Sequence, residues 1–206
     1  MAPAQAVDAK TRRNLEALSA TGVLRSFYLG GGTGLAFLFG HRTSRDLDFF
    51  RRTAFDERRL IERLRAAGSF QLEKRESGTV RGSFQRTLVS FFQYPYQLLA
   101  KPRTVAGIRI ASPLDIGCMK LDAIVSRGTK RDFIDLYTVL TQEKLSLIEL
   151  LTAFQRKYAR FRPNLMHVKK SLVYFADAER DPNPEMLTAI SWQRVKAFFS
   201  AEAKKF

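Results

Sequence analysis

The stretch Leu29-Gly30-Gly31-Gly32-Thr33-Gly34-Leu35 places three consecutive glycines between a β-like run, Phe27-Tyr28-Leu29, and an apolar helix. With no side chains in the way, the backbone N–H groups at the start of that helix can bind a phosphate. The stretch lacks the Gly-Lys-Ser/Thr end of a P-loop and the spacing of the dinucleotide fingerprint. Taken alone, it predicts either a phosphate-binding turn or an ordinary tight turn from strand to helix.

Two aspartates follow in Asp46-Leu47-Asp48-Phe49-Phe50, a run with the period of two that is typical of a strand. Residues two apart in a strand point to the same face about 7 Å apart, so Asp46 and Asp48 stand side by side. Adjacent carboxylates repel each other unless a cation lies between them, and Mg²⁺ accepts one or two carboxylates together with water and substrate phosphates. The pair therefore predicts a Mg²⁺ site. The alternative is a solvated edge strand whose carboxylates are neutralised by neighbouring arginines.

The pattern along the chain changes near residue 112. Before it, the β-like runs 27–29, 46–50 and 86–92 alternate with helices, one of which Asp56 opens and Gly68 closes. Gly78 and Gly82 punctuate an antiparallel ribbon between them. This half predicts a mixed α/β unit over residues 1–111.

After residue 112 the pattern is helical almost throughout. Ser112 as N-cap and Pro113 at the first helical position open a helix that Gly128 ends, and Thr129 opens the next one. Further helices are predicted near 146–160, 164–177 and 190–203. The fold class predicted from the sequence is therefore an α/β unit with a mixed sheet, followed by a C-terminal helical bundle over residues 112–206.

The composition narrows the class of protein. The chain has 206 residues, of which 45% are hydrophobic and 27% charged, which excludes wholesale disorder, collagen and a coiled-coil fibre. No apolar run approaches the roughly 20 residues that span a bilayer, and the first residues show no signal-peptide pattern, so we expect a cytoplasmic protein with no membrane partner. Cys118 is the single cysteine, which excludes an intramolecular disulfide and argues against a structural zinc site.

The net charge is +15, from 35 Lys and Arg against 20 Asp and Glu. This excess favours a polyanionic partner, nucleic acid first and an anionic membrane surface second. One basic group lies on the helix that follows Asp56, at Arg58, Arg59, Arg63 and Arg65. A second comprises Arg156, Lys157, Arg160, Arg162, Lys169 and Lys170. No acidic residue lies between positions 150 and 176, so we predict that the second group forms an unbalanced positive surface.

A resemblance to a known family rests on these motifs. The Gly-Gly-Thr turn, Gly40-His41-Arg42-Thr43-Ser44 and Asp46-Leu47-Asp48-Phe49-Phe50 resemble the opening motif of the nucleotidyltransferase-fold toxins of the AbiEii/AbiGii family. Met119-Lys120-Leu121-Asp122-Ala123-Ile124, Arg127-Gly128 and Lys130-Arg131-Asp132-Phe133 resemble that family's downstream lysine and Arg-Asp motifs. The resemblance covers roughly residues 27 to 140.

The resemblance implies a nucleotidyltransferase fold and a Mg²⁺-dependent transfer of a nucleoside monophosphate from an NTP to an acceptor. The expected acceptor is RNA, such as a tRNA end. The expected role is that of a toxin in a toxin–antitoxin or phage-defence system, with a cognate antitoxin as partner.

Individual residues receive roles from the same resemblance. Asp46 and Asp48 would hold Mg²⁺ and act in catalysis. Lys120 would meet the triphosphate, and Asp132 would be the later acidic residue of the site. The implied nucleotide-binding positions are Gly31, Gly32, Thr33, Ser44 and Arg127. The residues alone also allow structural roles. Lys120 could extend along its helix to solvent, and Asp132 could belong to the capping box that Thr129 opens.

The sequence departs from the family's pattern on a later strand. Many nucleotidyltransferase folds carry a third metal-binding carboxylate there, whereas the run 87–93 contains none. Either Asp132 takes its place from a helix, or the site works with a single metal ion. Two other functions stay open: a non-catalytic RNA-binding module on this fold, and an enzyme that transfers AMP to a protein side chain.

Two further residues are expected to be structural. His41 is expected to cap the apolar helix rather than to contact nucleotide, because nothing in the sequence orients its ring. Asp135 is expected to pair with Lys130 or Arg131, which lie near it on the same helix.

Overall fold

The computed structural model describes residues 6–161 and 163–205, and a single mixed sheet forms its centre. The strands in these ranges are β1 (Tyr28–Leu29), β2 (Leu47–Arg51), β3 (Phe70–Glu76), β4 (Thr79–Phe84), β5 (Thr87–Gln93), β6 (Arg103–Val105) and β7 (Ile108–Ile110). They lie in the order β3-β4-β5-β2-β1-β7-β6. β2 pairs with β5, and β1 with β7, in parallel, and the other neighbours are antiparallel.

The helices fall into two sets. Those beside the sheet are α1 (Ala9–Ala20), α2 (Gly31–Phe39) and α3 (Glu57–Ala67). Those that follow it are α4 (Pro113–Ser126), α5 (Lys130–Gln142), α6 (Leu147–Lys157), α7 (Leu165–Leu172), α8 (Ala176–Arg180) and α9 (Trp192–Glu202). Nowhere in the part of the chain described is a helix both long and apolar enough to cross a membrane. Residues 1–5, on which the absence of a signal peptide partly depends, lie outside that part.

Capping residues set the helix boundaries that the sequence predicts. The Ser112 side chain accepts a hydrogen bond from the N–H of Asp115 at 3.0 Å, and Pro113 begins α4. Gly128 has a φ of +59° just beyond the end of α4, a conformation that favours glycine. Asp56 caps α3 in the same way as Ser112 caps α4.

Two elements, α1 and the β6–β7 hairpin, are not among those predicted from the sequence. Asp8 caps α1 by accepting from the N–H of Thr11, and the helix buries Leu15 and Leu18, three residues apart. The hairpin turns at Ala106 and Gly107, both with positive φ, the geometry of a two-residue hairpin turn. The sequence does contain a signal for each element. Asp8 precedes apolar residues at helical spacing, and Ala106-Gly107 lies between two short β-like runs.

The buried apolar side chains form two clusters. One lies between the sheet and α1–α3, and it also receives Ile116 from α4 and Val139 from α5. The other lies among α4–α9 and receives Tyr94, Tyr96 and Leu99 from the segment after β5. Each cluster thus includes side chains from the other half of the chain. A division into two domains at residue 112 stays a prediction.

Lys157 is not part of a positive surface, and that element of the prediction is wrong. Its side chain is fully buried, and its Nζ lies 2.7 Å from Oδ1 of Asp115, which is also fully buried. Lys157 also donates to the carbonyl of Gln97, while Asp115 accepts from the backbone N–H groups of Leu99 and Ala100. The ion pair therefore joins the end of α6, the start of α4 and the segment after β5. Arg162, another member of the predicted surface, lies outside the described residues.

We expect Lys157→Met to lower the free energy of unfolding by about 3–5 kcal/mol, because it leaves the Asp115 carboxylate buried without a counter-charge. Arg156→Met is the matched control, since Arg156 is the exposed neighbour on the same helix and its loss should change stability by about 0.5 kcal/mol or less. Urea unfolding monitored by circular dichroism measures both. Equal stability of the two variants would contradict a structural role for the pair.

Candidate active site

All the residues that the sequence predicts for catalysis and nucleotide binding line one cavity of about 440 Å³. They come from the start of α2, the segment leading into β2, α4 and the start of α5. They are Gly31, Gly32, Thr33, Ser44, Asp46, Asp48, Lys120, Arg127 and Asp132. The structure therefore brings the predicted residues together, whatever the role of each.

The N-terminus of α2 opens into this cavity. Gly30 caps α2 without a side-chain hydrogen bond, and its own N–H donates to the backbone carbonyl of Asp48 at 2.9 Å. Gly31 has a φ of +60°, and a Cβ there would lie 3.0 Å from Oδ2 of Asp48. A Cβ on Gly32 would lie 2.2 Å from Nη2 of Arg42. Glycine is thus required by close approach at Gly32 and by backbone conformation at Gly31, and the helix N-terminus remains accessible to an anion.

The Thr33 hydroxyl is used inside the protein. It donates to the backbone carbonyl of Asp46, and it lies 2.8 Å from the Ser44 hydroxyl. Because a hydroxyl carries one proton, Thr33 accepts from Ser44 in this arrangement. These two side chains fix the segment that leads to the aspartates. What Thr33 offers to a phosphate is therefore its backbone N–H at the first turn of α2.

Asp46 and Asp48 lie side by side at the start of β2. Asp46 is exposed, just before the strand, and Asp48 is partly buried within it. Burial, and then the charge of Asp46, raise the pKa of Asp48, although a hydrogen bond from Ser90 and the charges of Lys120 and Arg127 act against this. A cation between the carboxylates would relieve their repulsion. Mg²⁺ takes one or two carboxylates from a protein and its other ligands from water and substrate phosphates, so this pair suits it.

The position beside Asp48 on the neighbouring strand is occupied by Ser90, which pairs with Asp48 in the β2–β5 register. Whether Asp132 takes the place of a third metal-binding carboxylate stays a prediction, and in this structure its carboxylate is bound by other side chains. Its oxygens instead lie 2.9 Å from Nζ of Lys120, 3.0 Å from Nε of Arg127 and 2.6 Å from the Thr129 hydroxyl. Within residues 6–161 and 163–205, no three His, Cys, Asp or Glu side chains are arranged to hold a metal ion.

Asp135 has a position in the structure that the sequence does not predict. It is fully buried, and it does not pair with Lys130 or Arg131 as expected. Its carboxylate is 2.8 Å from Nε2 of His41, and 2.7 Å from both Nε and Nη2 of Arg42. It is also 2.7 Å from Nζ of Lys120.

The expectation that His41 caps the apolar helix is also wrong, because Gly40 is the C-cap of α2 and the His41 ring is bonded to Asp135 on α5. Burial alone would raise the pKa of Asp135, but the charges of Lys120 and Arg42, with hydrogen bonds from His41 and Arg42, hold it well below its usual range. Asp135 thus remains a carboxylate and fixes two cations at the edge of the cavity. The partners of Asp135 lie up to 94 residues away, so no local pattern could have identified them.

Lys120 lies between two carboxylates, those of Asp132 and Asp135. Burial would lower its pKa, but the charges of Asp135 and Asp132 raise it. An ammonium group has three donors, so Lys120 can serve both carboxylates and still present one N–H to the cavity that it lines. Arg127 has a 64% exposed side chain and adds a second cation on the same wall.

A segment from the C-terminal half holds the loop that carries Arg42 and Ser44. Met186 forms an antiparallel bridge with Arg42, and the N–H of Leu187 donates to the carbonyl of His41 at 2.9 Å. The N–H of Thr43 donates to the carbonyl of Glu185 at the same distance. We call residues 185–188 the strap. It fixes one side of the cavity from outside the sheet.

Comparisons with known proteins agree with this geometry. Over residues 13–105 and 90–205 the sequence matches the family model described as "Nucleotidyl transferase AbiEii toxin, Type IV TA system". An uncharacterized protein from Aquifex aeolicus (strain VF5) is 33% identical over 199 residues, which is 95% of this chain and 95% of that protein.

Two solved structures share the fold. JHP933 from Helicobacter pylori superposes with a TM-score of 0.59 at 17% identity, over 97% of this chain and 92% of that one. The antibiotic-resistance factor ANT(2'')-Ia superposes with a TM-score of 0.53 at 14% identity, over 75% of this chain and 94% of that one. At these identities the likeness establishes the fold alone, and it confirms the predicted fold class.

We expect Asp132→Asn to lower the free energy of unfolding at neutral pH by about 2.5 kcal/mol. Burial acts to raise the pKa of Asp132, but the charge of Lys120 and hydrogen bonds from Arg127, Thr129 and Lys120 lower it to about 2. In the unfolded chain the pKa is about 3.9, so the unfolded state takes up the proton first as the pH falls. The stabilisation is complete above about pH 4 and is lost toward pH 2.

Urea unfolding between about pH 6 and pH 3 measures this dependence. Asp177→Asn, at an exposed aspartate on α8, is the control and should leave the profile unchanged. If Asp132→Asn is as stable as the control at neutral pH, the ion pairs of Asp132 contribute nothing.

Proposed function

Because this chain belongs to the AbiEii family of nucleotidyl transferase toxins and is a nucleotidyltransferase, we propose that it transfers a nucleoside monophosphate from an NTP to an RNA acceptor in a Mg²⁺-dependent reaction. One observation carries the proposal: an open helix N-terminus, a carboxylate pair and a set of buried or fixed cations face the same cavity. The helix N-terminus suits a phosphate chain, the carboxylate pair suits a divalent cation, and the protein's cations suit a departing anion.

The NTP would bind across the cavity. Its phosphates would accept hydrogen bonds from the N–H groups of Gly31, Gly32 and Thr33, as a helix N-terminus allows. Its base has an apolar wall to rest on, where Phe50 stacks on Phe92 at 5.4 Å between ring centroids and Leu88 is 46% exposed.

Mg²⁺, held by Asp46 and Asp48, would supply charge neutralisation at the α-phosphate. The acceptor hydroxyl oxygen would form a bond to the α-phosphorus and lose its proton, while the bond between the α-phosphorus and the bridging oxygen breaks. Pyrophosphate is the leaving group. Lys120 and Arg127 would stabilise its charge, and Asp135 would position Lys120 and Arg42 without touching the substrate.

An RNA acceptor is supported by charge. The chain has a net charge of +15, and Arg81 and Arg131, both exposed, line the cavity beside the site residues. Phosphate contacts by arginine would position an RNA strand without reading its sequence. We propose further, from the family, that the protein acts in the cytoplasm as a toxin and that a cognate antitoxin binds it.

The test is to incubate the protein with each labelled NTP, Mg²⁺ and total RNA, and to measure label in RNA and in protein. Label in RNA, with release of pyrophosphate, is the expected result. Label in protein would favour transfer of AMP to a side chain. Label in neither would favour a non-catalytic RNA-binding module.

We expect Asp48→Asn, and separately Asp46→Asn, to reduce transfer at least about 100-fold, because each removes a carboxylate that would hold the cation. In the absence of Mg²⁺ the thermal midpoint of Asp48→Asn should equal or exceed that of the unaltered protein. A carboxylate with a raised pKa destabilises the folded state at neutral pH, so its removal does not lower the free energy of unfolding.

Mg²⁺ should raise the thermal midpoint of the unaltered protein, since a ligand that binds only the folded state stabilises it, and should not raise that of Asp48→Asn. Glu73→Gln, on the exposed edge strand β3, should behave as the unaltered protein in both measurements. Wild-type transfer by either aspartate variant would disprove the metal assignment.

A further inference from the structure

A second cavity is lined by other α4 residues, Asp122 and Val125, than the candidate active site. Its volume is about 290 Å³, and Tyr96, Tyr158 and Phe161 form aromatic walls. The Tyr96 ring lies 4.6 Å from that of Tyr158 and 5.8 Å from that of Phe161, centroid to centroid. The Phe161 side chain is 69% exposed, which is unusual for a large apolar group. Asp122 and His167 place polar groups at the edge of these walls.

A third depression at the end of α4 shares lining residues with both cavities. It shares Arg127 with the active-site cavity, and it shares Val125 and His167 with the aromatic cavity. Lys170 and Tyr174 form its outer wall. Different residues of α4 line the two cavities, and a helix with its side chains is about 10 Å wide. A strand that ends in the active site and passes Arg127 would therefore reach the aromatic cavity after few nucleotides.

Two basic side chains, Arg127 and Lys170, line the depression on this path, and further basic residues lie close to it in sequence. No acidic residue occurs between positions 150 and 176, and Arg156, Arg160 and Lys170 are exposed in that segment. The acidic groups on the path are Asp122, at the aromatic cavity, and Asp177, whose carboxylate is 3.8 Å from the guanidinium of Arg180. Arg127 and Lys170 can thus meet phosphates along the path, and one carboxylate, that of Asp122, lies among the aromatic rings.

We propose that the aromatic cavity binds one base of the acceptor RNA, close to the terminal hydroxyl that enters the active site. This inference rests on the proposed transfer to RNA. The base stacks on Phe161 and Tyr96, the Asp122 carboxylate accepts from an amino group on its edge, and Lys170 with Arg127 meets the intervening phosphates. The site fixes the terminal hydroxyl at the α-phosphate by holding the strand at both cavities.

The properties of the cavity favour a base of the acceptor over other occupants. The NTP has its own apolar wall in the active site, at Phe50 and Phe92, so its base does not require a second one. The aromatic cavity is at the small end of the range for ligand sites, about 300–1,000 Å³, which suits one ring system better than a folded protein segment. A neutral apolar ligand would not account for Arg127 and Lys170 in the adjoining depression.

The test measures label transfer from NTP to total RNA at a series of RNA and of NTP concentrations. We expect Phe161→Ala to raise the half-saturating RNA concentration about ten-fold, the effect of losing one stacking ring, and to leave the half-saturating NTP concentration unchanged. Phe161→Trp, which keeps a stacking surface, should restore the RNA dependence. Ile148→Ala is the matched control, since Ile148 is an apolar side chain, 52% exposed, that lines neither cavity.

The outcomes separate this inference from the proposed function. Transfer to RNA by the unaltered protein, with Phe161→Ala indistinguishable from Ile148→Ala, overturns the aromatic site and leaves the proposed function standing. Label in protein, or no label, with the unaltered protein overturns both. An equal rise in the NTP and RNA concentrations in Phe161→Ala would show a general distortion and would also overturn the assignment.

Discussion

A carboxylate taken out of water must be neutralised within the protein, and the candidate site depends on how Asp135 meets that requirement. Its partners come from both halves of the chain: Arg42 and His41 follow α2, and Lys120 lies on α4. The Arg42 guanidinium, once held there, occupies the space beside Gly32. The same carboxylate thus sets the place of two cations and requires a glycine at the start of α2.

The parts of the site that follow from local rules could be predicted from the sequence. The glycines before an apolar helix, the Asp46 and Asp48 spacing and the caps of α3 and α4 each depend on neighbours in the chain. Lys120 is a cation in an otherwise apolar helix, which predicts an anion beside it.

The rest depends on contacts that are distant in sequence. A charge pattern cannot distinguish the exposed Arg156 from the buried Lys157, because the difference lies in Asp115, 42 residues earlier. For the same reason, the sequence pairs Asp135 with Lys130 or Arg131, whereas its partners in the structure are distant in the chain. The three-residue strands β6 and β7 are too short for a periodicity of their own.

The strap has a consequence for synthesis of the protein on the ribosome. The loop at His41 and Arg42 emerges early, but the residues that bond to it lie up to 147 positions later. During translation this loop has no such anchor until residue 188 has left the exit tunnel. A nascent chain can form the sheet and still lack a fixed Arg42 loop. The cavity therefore becomes fixed only after the strap has been synthesised, which is later than every strand of the sheet and both aspartates.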